Sequence, residues 1–470
     1  MIEQIIYFFP LASLLIGIFY LSVFAKKSEE VRLNFHIARI SLTVSWVFSV
    51  IFFNKSAVEH FMVGNHFTLL CVCLMYASAF MLMFLAEKWF LSMKIETRAF
   101  CVGVLMTVLM GNMLICSVNF GLTVICLSVI LLNQLFLLHN GSGKKQESEK
   151  FYLYAVLISI GLLIFAICCL HQVDHTLFYE GLRQNIKLQQ ENVWIYVAVI
   201  SIITVFIFLL GLAPLHFGAT ELLGGVTLPV FTYFMLIPYS ACLAGLIHLN
   251  IYVFAPLLEK LHIFYTALAL ISVGFGAVGA CSGQNIRKIF AYSALYHLAA
   301  VFLILQRFSF GATVMAMAYY MIYLLTMHGI CACLFGLKVK GEYLYMVNEF
   351  NGAARKRPYL SAMMVIFLFS LLGFPPLMGF WGTASVFGDL IGHRHLYQMW
   401  YLCAMIPVVS YAYLQIVRAL YFEEGREIFD RADLSIYTAI CLDIIGMLLI
   451  ILNPHYLTNM LSSAVGDLFI

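Results

Sequence analysis

The stretch APLHFGATELLGGVTLPVFTYFMLIPY, residues 213–239, combines an apolar run of membrane-spanning character with a cluster of helix breakers. Gly224, Gly225, Pro229 and Pro238 interrupt it, and His216, Glu221 and Tyr239 are its main polar groups. Proline removes a backbone donor and glycine loosens a helix. In hydrocarbon, such breaks persist only where protein or a water-lined cavity satisfies the freed backbone groups. The stretch therefore predicts a polytopic membrane protein with an interrupted helix over Gly224–Pro238.

Composition agrees with this. The chain of 470 residues is 63% hydrophobic and 10% charged, with a mean hydropathy of +0.97, against roughly 45–50% and 25% in soluble domains. Apolar runs near the roughly 20 residues that cross a bilayer fall at about 5–24, 37–53, 67–86, 99–118, 120–138, 152–170, 193–212, 229–250, 263–281, 286–306, 311–336, 359–392, 398–421 and 435–452. The fold class expected is an all-α polytopic membrane protein of about fourteen transmembrane helices, with no soluble domain. With that count, 20 of the 26 lysines and arginines fall in or beside loops on one side, and only Lys55, Arg183, Lys187, Lys260, Arg307 and Arg394 on the other. The bias predicts both termini on the face away from the cytoplasm or matrix. The net charge of +3 is thus a topology signal and not a nucleic-acid footprint. The first apolar run lacks a basic leader and a small-residue cleavage site, so it is expected to be retained as a span.

Thirteen cysteines lie almost wholly in apolar runs, without CxxC spacing or a histidine pair. They are expected to pack as small hydrophobes, and no metal, haem or cluster site is predicted. A second set of breakers, Gly373, Pro375, Pro376, Gly379, Gly382 and Gly388, falls in the 359–392 run. Paired interruptions in two halves of a chain point to inverted repeats of a transporter. The segmentation expected is 1–118 for N-terminal helices, 119–306 and 307–421 for two repeats, and 422–470 for a last helix and tail. The loop 337–358, with Arg355-Lys356-Arg357, is expected to set topology. The tail spaces Leu457, Met460, Leu461, Val465 and Leu468 along one face, suited to a membrane surface or a neighbouring subunit.

Residues 213–239 resemble, without a gap, the pattern APFHxWxPDVYEGxPTPVxxFxxxxPK of the antiporter-like membrane subunits of respiratory complex I. Ala213, Pro214, His216, Gly225, Pro229, Val230 and Pro238 match, and Glu221 stands for the family's aspartate. GNMLICSVNFGLTVICLSVILL (111–132), GQNIRKIFAYSALYHLAAVFLIL (283–305) and LFSLLGFPPLMGFWGTASVF (368–387) resemble three further motifs of that family in the same order. The likeness is greatest to the chain N branch of NADH–quinone oxidoreductase, the equivalent of mitochondrial NADH dehydrogenase subunit 2.

The resemblance implies a membrane-arm subunit, partnered by other membrane subunits of the complex, that couples electron transfer elsewhere to proton movement. It places NADH, FMN, iron–sulfur clusters and quinone in partner subunits. This chain shows neither a glycine-rich strand-to-helix turn nor cluster cysteines, so it is expected to carry no catalytic centre and no cofactor. The resemblance also implies a bacterial inner membrane, or alternatively a mitochondrial one. Two other functions stay open: a non-pumping structural subunit of the same complex, or a component of a multisubunit cation/proton antiporter.

The family moves protons through buried carboxylates and lysines whose coupled pKa values respond to small movements. Most are replaced in this chain. The family's glutamate falls at Val129, beside Ile130, and its lysines fall at Tyr239 and Thr383. The remaining proton-path candidates are Arg287 and Lys288, which match the family's NIKR, His297, His328, Tyr239 and Thr383. Arg287 reads equally as part of a hydrophilic axis or as an interface anchor, and a guanidinium does not release its proton. His297 and His328 are suited by chemistry to a relay. His216, Gly225, Pro229, Pro238, Pro375 and Pro376 are assigned to the broken helices. Asp443, in the last span, matches no motif.

Overall fold

The computed structural model describes residues 9–24, 31–51, 62–141, 147–173, 175, 177–425 and 429–469. Lys26, Lys27, Lys55, Lys144, Lys145 and Arg426, used above for orientation, lie outside them. Among the described residues eleven helices are long and apolar enough to cross a membrane. The helices in chain order are α1 (Phe9–Val23), α2 (Val31–Ile51), α3 (His66–Met93), α4 (Arg98–Ile115), α5 (Phe120–Gly141), α6 (Glu147–His171), α7 (Tyr179–Leu188), α8 (Val193–Leu209), α9 (His216–Leu223) and α10 (Leu228–Tyr252). They continue with α11 (Leu258–Ser282), α12 (Ile286–Leu305), α13 (Phe310–Gly336), α14 (Ala353–Lys356), α15 (Pro358–Leu371), α16 (Met378–Gly392), α17 (Leu396–Tyr421), α18 (Leu434–Leu452) and α19 (Pro454–Gly466). Three of these, α1, α8 and α15, are apolar but shorter than the eleven.

The chain forms two compact units. One comprises residues 1–210, 236–261 and 463–470, and the other 211–235 and 262–462. In the first unit α1 packs on α2 and α4, α3 on α2 and α4, α5 on α4 and α6, and α6 on α8. Polar groups in its interior bond across helices: Ser45 Oγ donates to the Pro10 carbonyl at 2.7 Å, and Asn112 Nδ2 donates to Tyr76 OH at 3.1 Å. In the second unit α13 is the hub, packed against α12, α15, α16 and α18. It is apolar nearly all round, as a helix surrounded by protein must be, and almost every residue from Ala312 to Gly336 is buried.

The second expected interruption is present, but the first is not found within Gly224–Pro238, and the chain breaks earlier. The chain leaves helical geometry between α8 and α9, at 210–215, where Gly211 has φ +65°. The second break, between α15 and α16, contains Gly373 at φ +72°. Both follow one local pattern, LLGLAPL at 209–215 and LLGFPPL at 371–377, in which a left-handed glycine precedes a proline that cannot continue the helix. Gly224–Thr227 is instead the turn between α9 and α10. Pro229 is the second residue of α10, a position where proline loses no helical hydrogen bond, and Pro238 lies inside α10, which runs through it.

The second break is closed by its own neighbours. Gly373 N–H donates to the Ser370 carbonyl at 3.0 Å, Phe374 N–H to the Phe369 carbonyl at 3.1 Å, and Gly379 N–H to Ser370 Oγ at 3.3 Å. In a low-dielectric interior each unpaired group would cost several kcal/mol. The first turn of α16 approaches so closely that a Cβ on Gly379 would lie 1.6 Å from the Ser370 carbonyl oxygen.

Between α6 and α8 lies α7, whose Tyr179 is buried and hydrogen-bonded to Thr123 at 2.5 Å. The 337–358 segment is more ordered than a topology determinant needs to be. It opens with a hairpin, β1 (Lys338–Val339) antiparallel to β2 (Glu342–Tyr343), turned through Lys340 and Gly341 at positive φ. The tail helix α19 packs on the chain itself: Leu457, Leu461, Val465 and Leu468 are buried, while Met460 is exposed. Past its end, Asp467 pairs with His66 at 2.6 Å. The thirteen cysteines are all free thiols, mostly buried.

Replacing Gly379 with alanine is expected to lower stability by at least about 1–3 kcal/mol, the range for overpacking a core. Gly388→Ala, where nothing lies within 4 Å, should leave it unchanged or slightly raised. Melting temperatures of the two variants check this, and equal values would contradict the packing at the break.

Candidate proton-relay site

The polar interior of the second unit centres on His297, in the middle of α12. Its Nδ1 lies 2.8 Å from Tyr319 OH on α13 and its Nε2 3.0 Å from Tyr413 OH on α17. Tyr413 OH in turn is hydrogen-bonded to Ser293 Oγ, one turn before His297 on α12. All four side chains are buried, and the rings of Tyr296 and Tyr323 stand 5.2 and 5.3 Å from the imidazole. Whichever ring nitrogen carries the proton donates to its tyrosine and the other accepts. The line Tyr319–His297–Tyr413–Ser293 thus offers an unbroken hydrogen-bonded path across three helices. It can pass a proton by successive hops and reorientation without holding a permanent charge.

The other candidates do not join this cluster. Arg287 is buried in the first turn of α12, about 15 Å along the helix from His297 at 1.5 Å per residue. One guanidinium nitrogen donates to the Val226 carbonyl in the turn before α10, and the guanidinium lies 3.8 Å from the Tyr345 ring centroid. Asn285 caps α12 and donates from Nδ2 to the Gly224 carbonyl at 2.9 Å. Lys288 pairs with Glu221, both partly exposed. These contacts fasten the 224–227 turn to the start of α12, and the segment 345–347 pairs with 284–286 alongside.

Thr383 is half-buried. Its hydroxyl donates to its own helix, to the Gly379 carbonyl at 3.3 Å and the Phe380 carbonyl at 3.0 Å, and its side chain fills the space beside Gly373. It closes the break, where the family places a lysine. His216 is buried at the start of α9, with its ring 5.0 Å from Phe275 and 6.0 Å from Tyr292. His328, on α13, faces Asp443 on α18.

In the first unit Tyr239 is buried in α10. Val129 is half-buried and Ile130 fully buried in α5. One turn further along α5 the helix carries two amides that the motif comparison passed over. Gln134 accepts from Tyr152 OH at 2.7 Å, and Asn133 donates to the Gly103 carbonyl and to Thr107, both at 2.6 Å. A half-buried ion pair, Arg39 to Glu87 at 2.7 Å, joins α2 to α3. The tyrosines of the line, Tyr319 and Tyr413, were also not singled out by motif; Tyr319 begins a cluster with Tyr320 and Tyr323 on α13, a signal that could have pointed to it.

Above the relay, at the far end of α12, Gln306 and Gln398 donate to each other's carbonyl oxygens at 3.2 Å, and Thr266 donates to Gln306 at 2.7 Å. In the turn between α16 and α17, burial, with the Arg307 guanidinium adding positive charge, holds the His395 imidazole below its usual pKa.

The chain is similar to NADH-quinone oxidoreductase subunit N of Paramagnetospirillum magneticum, 28% identical over 68% of this chain and 67% of that protein. It is also similar to the subunit N of Coxiella burnetii, 25% identical over 97% and 96%. In fold it is similar to a chain of respiratory complex I from Thermus thermophilus, with a TM-score of 0.79 at 18% identity, covering 97% of this chain and all of that one. A chain of the Mrp complex from Dietzia gives a TM-score of 0.84 at 13% identity, covering 100% and 98%. The model of the NADH:quinone oxidoreductase/Mrp antiporter transmembrane family matches residues 111–410, well over half of the chain and inclusive of Ser293, His297 and Tyr319, and the chain belongs to that family.

Proposed function

We propose that this chain is a membrane-arm subunit of a proton-translocating NADH–quinone oxidoreductase, in which protons cross the second unit through the Tyr319–His297–Tyr413–Ser293 line. The observation that carries this reading is that both nitrogens of a buried histidine are bonded to buried hydroxyls. Intramembrane polar groups are costly and mark pathways. A histidine bonded on both sides can take a proton at one nitrogen and release it at the other. The bacterial subunit N relatives support an inner-membrane location and other membrane subunits as partners.

The redox chemistry belongs, in this reading, to partner subunits that hold FMN, the iron–sulfur clusters and the NADH and quinone sites. The chain's own residues contribute the relay and its packing. Arg287, Lys288 and Asn285 act as anchors of the α9–α10 turn and not as carriers. The first unit, with Val129 and Tyr239 where the family has its glutamate and lysine, takes no charged step.

The test is the proton-to-electron ratio of the purified complex in sealed vesicles. His297→Ala and Tyr413→Phe are expected to lower it with assembly intact, the flux through this subunit falling by about 100-fold or more, the lower end for loss of a positioned proton-transfer group. An unchanged ratio in both would make the chain a scaffold, the reading that Val129, Tyr239 and Thr383 favour. A preparation that lacks flavin and iron–sulfur absorbance would point instead to a cation/proton antiporter assembly.

Arg287→Ala should reduce the amount of assembled complex while leaving its ratio as in the wild type. A lower ratio at normal assembly would return Arg287 to the path. Tyr239→Lys should restore no transport and should destabilise the chain by about 2.5–3.5 kcal/mol, the cost of an intramembrane charge without a partner. Melting temperature and the same vesicle assay check it.

A further inference from the structure

Asp443 sits at the centre of α18, with nine residues of the helix before it and nine after. It belongs to the inward stripe Ile436, Ala439, Ile440, Asp443 and Met447, so the stripe that packs against the protein is apolar except for this carboxylate. The side chain is 5% exposed and its Oδ2 has no hydrogen-bond partner among the described residues. Oδ1 lies 4.0 Å from Nδ1 of His328, itself buried on α13. Cys331 and Cys333 lie on the same helix as His328 and are buried.

A carboxylate at mid-span of an apolar helix is not tolerated as a lone charge. The separation of 4.0 Å is too long for a charge-assisted hydrogen bond, so an ionised pair gains too little to offset the desolvation of two ions. The neutral arrangement, carboxylic acid beside neutral imidazole, is the lower in energy. One bridging water or a small side-chain rotation closes the gap, after which the acid proton can pass to the imidazole, leaving carboxylate and imidazolium, and return.

We propose that Asp443 and His328 form a second proton-binding site of this chain, separate from the His297 line, which holds one exchangeable proton on Asp443. The proposal rests on the burial of the pair in a membrane-spanning helix and not on proton transport through His297, so each can fail without the other.

Infrared difference spectroscopy of the intact complex, wild type against Asp443→Asn, reads the site directly. The expected result is a protonated-carboxyl C=O band that is present in the wild type at neutral pH, missing in Asp443→Asn and shifted to lower frequency in D₂O. Should Asp443→Asn fail to assemble, Asp443→Glu keeps an acid and must move the band. A wild-type spectrum in which neither substitution alters a protonated-carboxyl band overturns the site. A band that is lost on substitution but indifferent to D₂O shows a locked proton and overturns the exchange.

Discussion

A break in a membrane-spanning helix has to find protein partners for the backbone groups that it frees. That constraint orders the second unit. At the α15–α16 break the Ser370 carbonyl and hydroxyl take the Gly373 and Gly379 amides. At the α9–α10 turn the first residues of α12 take the carbonyls of Gly224 and Val226 through Asn285 and Arg287. The start of α12 is therefore fixed, and with it the position of His297, roughly 15 Å further along the same rigid helix. The tyrosines that complete the relay come from α13 and α17, two helices that pack against α12.

The substitutions that remove the family's charges have a common physical sense. Val129, Tyr239 and Thr383 occupy their positions without the desolvation cost of a carboxylate or an amine. Thr383 satisfies its hydroxyl on its own helix. What the second unit keeps is neutral hydrogen-bonding capacity: a histidine between two tyrosine hydroxyls, a pair of glutamines above it, and a threonine on Gln306. Transport along such a line depends on reorientation of neutral groups, where a lysine pathway depends on moving charge between coupled sites. Beside these the second unit buries the ionisable side chains of Arg287, Asp389 and Asp443, the last of them facing His328.

Motif comparison located the helix carrying His297 but not its partners, because tyrosines in an aromatic-rich membrane chain look like packing residues until their hydroxyls are placed. It assigned the first break to the glycines and prolines of 224–238, where glycine and proline are densest. The actual break at 210–215 carries the same local pattern as the second, LLGLAPL against LLGFPPL, and that repeat was legible. Arg287 was left between two roles, and its contacts with Val226 and Tyr345 come from segments about 60 residues away on either side in sequence, which no motif shows. The tail, open between membrane surface and neighbouring subunit, is buried on its own chain because its apolar face meets protein.

By itself the sequence determined that the chain is a bundle of membrane helices of this family with two interruptions. Apolar run length, glycine and proline chemistry and charge bias are local properties that the bilayer acts on directly. Tertiary structure decided which polar groups meet. A hydrogen bond such as His297 to Tyr413, or a pair such as His328 and Asp443, joins residues more than 100 positions apart, and no local propensity or spacing encodes that distance.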